Sequence, residues 1–203
     1  MKGLYKMKFL KENFHDVIKL YVNQIGIVIF YAALLFPLET LGGEDGVAPI
    51  WSILASVLSS FFYFVLIYYV VWEIGAKDKI RIDSGRYEPT PLKGAILGLY
   101  ANTVNIILGA FHLIFTSLAF GIGTCVNAYG IFTLLTRWHS AFYLGTALGI
   151  VGFDNTTATA QITFAILYLV FPFISVGVTQ LAYYMGSHEK RILYFIPQKT
   201  NKE

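Results

Sequence analysis

Three groups of residues have types and spacings that could do chemistry. Asn102, Asn105 and His112 sit three and seven positions apart in an otherwise apolar run, so a helix there carries them on one face. A polar stripe inside a membrane helix costs free energy unless it is partnered, and it serves either as a solute path or as hydrogen-bonding glue between helices. Arg137-Trp138-His139, joined by Asp154, has the types for an acid–base site and equally those of an interfacial anchor. The third group is basic. Lys77, Lys79 and Arg81 alternate with Asp78, Ile80 and Ile82, so in an extended chain the three bases point one way. Asp83-Ser84-Gly85-Arg86 then reads as a turn, and Arg86 and Lys93 bracket the start of the next helix. A helix N-terminus with free N–H groups and bases nearby suits an anion.

Catalytic and metal-binding patterns are missing. His15, His112, His139 and His188 are scattered, Cys125 is the one cysteine, and the chain has no HExxH, GxSxG or P-loop. The expectation is a protein that is not an enzyme and carries no cofactor or metal.

The elements that must position these residues are membrane helices. The chain has 203 residues, of which 56% are hydrophobic and 13% charged, and its mean hydropathy is +0.61. Residues 50–72 and 94–118 carry no charge, and each run is long enough to cross a hydrocarbon core. Residues 21–38 and 162–185 give two further spans. The segment 1–20 mixes five lysines with apolar residues at helical spacing and reads as an amphipathic helix in the headgroup region. Thr90-Pro91 reads as the start of the third helix. Region 119–161 is apolar but interrupted by Gly121, Gly123, Asn127 and Gly130, and it is expected to be an external interfacial or re-entrant hairpin.

Charge sets the orientation. With four spans, segments 1–20, 73–93 and 186–203 lie on one side and hold 14 of the 15 Lys and Arg residues. That side is cytoplasmic by the positive-inside rule. The expected architecture is therefore all-α: a four-helix bundle forming a single membrane domain, with both termini and the loop 73–93 in the cytoplasm of a cell-membrane protein. Gly94, Gly98, Gly145 and Gly149 offer small-residue faces, from which a homodimer is expected.

The run from Trp72-Glu73-Ile74-Gly75 through Lys77 and Arg86 to Pro91-Leu92-Lys93-Gly94 resembles a family of small bacterial four-span membrane proteins. In size, span number and basic cytoplasmic face the chain is also similar to the OLE RNA-associated membrane proteins. That resemblance implies a non-catalytic anchor that holds a structured RNA at the membrane. The bases that would meet such a polyanion are Lys77, Lys79, Arg81, Arg86 and Lys93, with Lys6, Lys8, Lys11, Lys190 and Arg191. Tyr5, Phe9, Tyr87 and Tyr194 could stack on bases or anchor at the interface. The four carboxylates of 73–93 favour instead a topogenic loop meeting lipid headgroups. The alternative function is a small transporter or permease-like subunit that uses the Asn102, Asn105, His112 stripe.

Overall fold

The computed structural model describes residues 2–41, 49–152 and 157–190. The elements are α1 (Lys2–Leu41), α2 (Pro49–Asp83), α3 (Lys93–Ala101), α4 (Thr103–Gly121), α5 (Val126–His139), α6 (Leu144–Val151) and α7 (Ala158–Ser187). No strand occurs among the described residues. Four stretches are long and apolar enough to cross a membrane: Lys11–Pro37, Ile50–Asp83, Thr103–Gly121 and Ala158–Ser187. The all-α, four-span reading is what the chain adopts. Phe61, Leu58, Ile107, Ile114, Val170 and Ile174 point outward and are exposed, which is the surface that acyl chains cover.

Three local expectations change. Residues 2–20 do not form a separate helix; they continue into the first span as one helix, α1. Residues 77–83 are not an extended loop but the last turns of α2. At 1.5 Å per residue the 35 residues of α2 run about 50 Å, well beyond a hydrocarbon core of about 30 Å. The excess stays helical because its charges pair along the helix, Glu73 with Lys77 at 2.7 Å and Lys79 with Asp83 at 2.9 Å. The stop comes at Gly85, whose φ of 71° suits glycine, with Gly85 N donating to Ile82 O and Arg86 N to Arg81 O. Thr90-Pro91 belongs to the turn before α3, which starts two residues later without a side-chain cap. Asn102 interrupts only the helix assignment between α3 and α4; its N–H still bonds Gly98 O and its C=O still accepts from Ile106 N.

The bundle is organised around α7, which packs on α2, on α3 and on α4. Glycines permit the close approach. A Cβ on Gly75 would lie 2.5 Å from Tyr183 O, and one on Gly94 2.5 Å from Thr179 O. Gly186 faces Trp72 O and Gly98 faces the Thr179 hydroxyl at similarly close range. Gly94, Gly98 and Gly145 are buried against other helices of the same chain, so their small-residue faces serve internal packing, whereas Gly149 touches Ile53 and stays exposed.

One ion pair ties α2, α3 and α7 together at the end that carries both termini. Lys93 Nζ donates to Asp78 Oδ2 at 2.7 Å, and Tyr183 OH donates to the same oxygen at 3.1 Å. Lys93 is 3% exposed and Asp78 is 1% exposed. Breaking a buried pair by removing one partner strands the other, so Lys93→Met is expected to lose about 3 kcal/mol or more. The double variant Asp78→Asn/Lys93→Met should lose less than Lys93→Met alone, and thermal unfolding in detergent micelles checks the order. In the same assay Gly145→Ala should be destabilised by about 1–3 kcal/mol, because its new methyl meets the Ser52 carbonyl. Gly177→Ala, with nothing within 4 Å, should be neutral or slightly more stable.

Candidate functional site

Helix α5 has 14 residues and α6 has eight, so neither crosses a hydrocarbon core of about 30 Å. They form a hairpin that enters the bundle and turns back at Ser140 and the 3-10 turn Ala141–Tyr143. Its depth follows from its partners. Tyr143 OH is 3.0 Å from Ser175 Oγ, and Ser175 lies 17 residues after the start of α7 and 12 before its end. The tip is therefore near the middle of the span, and the hairpin is re-entrant.

A backbone turn at that depth survives only if its polar groups are satisfied by protein. Helix α2 supplies the partners. Ser56 Oγ donates to Phe142 O at 2.6 Å and accepts from Thr146 N at 3.0 Å, capping α6 from a neighbouring helix. Ser60 Oγ adds a 3.3 Å bond to Phe142 O. From α5, Thr136 Oγ1 donates to Leu108 O at 3.2 Å. Phe142 is fully buried and packs between Tyr63 and Tyr143, its ring tilted against both.

The polar stripe divides at this tip. Asn102 and Asn105 are bonded: Asn105 Nδ2 donates to Asn102 Oδ1 at 3.1 Å, and Ser140 Oγ donates to Asn105 Oδ1 at 3.3 Å. These two asparagines clamp the hairpin. His112 is different. It is fully buried, and neither ring nitrogen finds a hydrogen-bond partner in the protein. Buried polar atoms without a partner also occur on Gln24 of α1, Ser59 of α2, Thr116 of α4 and Tyr168 of α7, and on the half-buried Thr133 and Arg137 of α5, whose Oγ1 and Nε are covered. All the unpartnered buried polar atoms among the described residues lie within the spans or the hairpin. Pro172 adds to this, because its missing N–H leaves the Tyr168 carbonyl without its helical donor.

Arg137 is drawn into this interior. Its Nη2 is 3.5 Å from Gln161 Oε1, which also accepts from Tyr129 OH at 3.1 Å, and its guanidinium lies 5.4 Å from the Phe164 ring centre. The sequence reading placed Arg137 among the outside charges, as a partner of His139 and Asp154. The structure instead turns it towards α7; His139 packs at a tilt against Tyr21 of α1, and Asp154 lies outside the described residues. Gln161, Tyr168 and Gln24 were missed altogether. Gln161 and Tyr168 stand seven apart on α7 and share a face, a spacing that the sequence carried.

The basic residues gather at the opposite end of the bundle, and most are paired. Lys77, Lys79 and Lys93 each hold a carboxylate, and Arg81 Nη1 is 3.6 Å from Asp78 Oδ1. Arg86, Lys11 and Lys190 are exposed and make no ion pair among the described residues. Arg191, Tyr194 and the side chains of Tyr5, Lys6 and Lys8 lie outside the described residues. The anion site expected at the start of the third helix is occupied by the buried Lys93–Asp78 pair. No group of three or more His, Cys, Asp and Glu side chains suited to a metal occurs among the described residues. Comparison of the chain with family models, with curated proteins and with solved structures gives no match in any of the three.

Proposed function

We propose that this chain is a small membrane transport protein, or a permease-like subunit of one, whose substrate site is the polar interior around the re-entrant hairpin. The observation that supports it is the set of unpartnered buried polar groups that α1, α2, α4, α5 and α7 carry among the described residues. Burying an amide, imidazole or hydroxyl without a partner costs about 1–3 kcal/mol each, so a purely structural bundle would have replaced them with apolar residues. Interrupted helices that end at mid-membrane among polar side chains are the usual architecture of a solute site. Of the two functions expected from the sequence, this one has the better geometric support. Docking of a structured RNA rests on Arg86, Lys11 and Lys190, since Lys77, Lys79, Arg81 and Lys93 each meet a carboxylate, Asp78 serving the last two.

In this reading the hairpin end faces the outside and both termini face the cytoplasm. Cys125 sits in the exposed turn between α4 and α5 and is a native reporter. A membrane-impermeant thiol reagent should label Cys125 in intact cells. A cysteine placed at Arg86, in a Cys125→Ser background, should label only after permeabilisation. The opposite pattern reverses the orientation.

Water access to the interior is the second measurement. In the Cys125→Ser background, Thr133→Cys should react with an impermeant methanethiosulfonate in membranes, while Leu134→Cys, on the lipid-facing side, stays inert. An inert Thr133→Cys beside a reactive Cys125 would remove the basis for transport. Asn105→Ala should lower thermal stability by about 1 kcal/mol, as loss of an interhelical bond does, without closing that access.

A further inference from the structure

We propose that Arg137 is the anchor of a binding site for a small oxyanion, a carboxylate or inorganic phosphate, in the seam between α4, α5 and α7. The inference deepens the transport reading by naming the class of solute. A guanidinium stays charged at every physiological pH. Its five N–H donors have one acceptor among the described residues, Gln161 Oε1 at 3.5 Å, which is already shared with Tyr129. The Nε atom is buried and has no acceptor at all. Helices α4, α5 and α7 contain no Asp or Glu, so the helices that enclose the seam offer no counter-ion. Among the described residues the guanidinium has no counter-ion, a cost within a membrane bundle that an anionic occupant removes.

The surroundings supply the rest of an oxyanion site. Phe164 lies against one face of the guanidinium, which leaves its N–H edge to meet a carboxylate or phosphate in the forked geometry that arginine favours. His112 and Tyr168, 0% and 1% exposed, have their rings 6.0 Å apart, and Tyr168 stands one turn along α7 from Phe164, which the guanidinium approaches. Each has a donor with no acceptor in the protein: the Tyr168 hydroxyl and one imidazole N–H. Helix α4 packs closely on both α5 and α7, whereas α5 reaches α7 chiefly through the side chains of Tyr129 and Arg137. The anion would meet the N–H edge of Arg137 where those two side chains join α5 to α7.

The test uses the full chain in detergent micelles, titrated with sodium acetate or sodium phosphate against sodium chloride at equal ionic strength. The melting temperature should rise saturably with acetate or phosphate and not with chloride. Arg137→Gln should abolish the rise, and Arg86→Gln should retain it. Arg137→Lys, which keeps the charge and loses the fork, should bind about ten- to a hundredfold more weakly. A second readout does not depend on the variant folding: acetate or phosphate should slow labelling of Thr133→Cys in a chain that keeps Arg137. Micelles doped with phosphatidylglycerol form a separate arm. A rise there that is lost in Arg137→Gln supports the site with a lipid phosphate as its source. The proposal is overturned if neither oxyanion outperforms chloride, which would leave water as the occupant, or if Arg137→Gln responds like the wild type. It also falls if Thr133→Cys labels at the same rate with and without the anions, although water access and the transport reading would then stand. Conversely, an inert Thr133→Cys with a saturable, Arg137-dependent rise removes transport and keeps the binding site.

Discussion

The carbonyl of Phe142 sets the terms for the rest of the structure. It lies at the turn of a hairpin in the middle of a membrane, where an unpaired backbone group costs several kcal/mol and no solvent can repay it. Ser56 and Ser60 on α2 meet it, and Ser56 meets Thr146 N as well. To deliver those hydroxyls α2 must lie flush against α6, which requires Gly145 where the Ser52 carbonyl passes. Asn105 then holds the other side of the tip through Ser140, and Tyr143 reaches Ser175 on α7. Satisfying one turn thus fixes the positions of α2, α4 and α7 around it. The polar side chains of α2, α4 and α7 that meet the hairpin follow from that arrangement.

The other end of the bundle works by a different rule. Lys93 and Asp78 are both buried, and their attraction offsets the cost of desolvation only because Tyr183 and Arg81 share the carboxylate. Such a pair specifies register more than it adds stability. It fixes the rotation of α3 relative to α2 at the point where glycines let α7 slide between them. The exposed pairs on the α2 extension contribute a few tenths of a kcal/mol each, enough to keep those turns helical. They also cancel charge that the sequence alone presents as a basic face.

The spans were legible because membrane length and hydropathy constrain them directly, and the hairpin was legible because glycines and an arginine broke a run that charge asymmetry would not allow to cross. What stayed hidden has physical causes. The end of α2 was misplaced at Trp72 because charge marks where a helix leaves the membrane, not where it stops; the stop signal was Gly85, eleven residues beyond Ile74. The alternation of Lys77, Lys79 and Arg81 suggested a strand period, while the competing Glu73–Lys77 and Lys79–Asp83 spacing of four carried the helix. Gly94 and Gly98 were read as a dimer face because a close-packing motif does not name its partner, and here the partner is α7 of the same chain.

The polar stripe shows why residue type alone cannot separate glue from site. Asn102, Asn105 and His112 share a face of one continuous helix, yet the asparagines are bonded to each other and to Ser140 while both nitrogens of His112 are unpartnered. The difference is depth relative to the hairpin tip. Asn105 meets the turn itself, where backbone and hydroxyl partners converge. His112 lies two turns further along, with its ring 6.0 Å from that of Tyr168 in the seam between α4, α5 and α7. An arginine with a long stem can reach from a helix at the tip back into that seam, with its stem on apolar surface and its charge among donors. Neighbouring donors without acceptors then raise the cost of the empty site and the gain from filling it with a negative charge. Clamp and seam are thus consequences of one hairpin, and a substitution that loosened the first would be felt in the second.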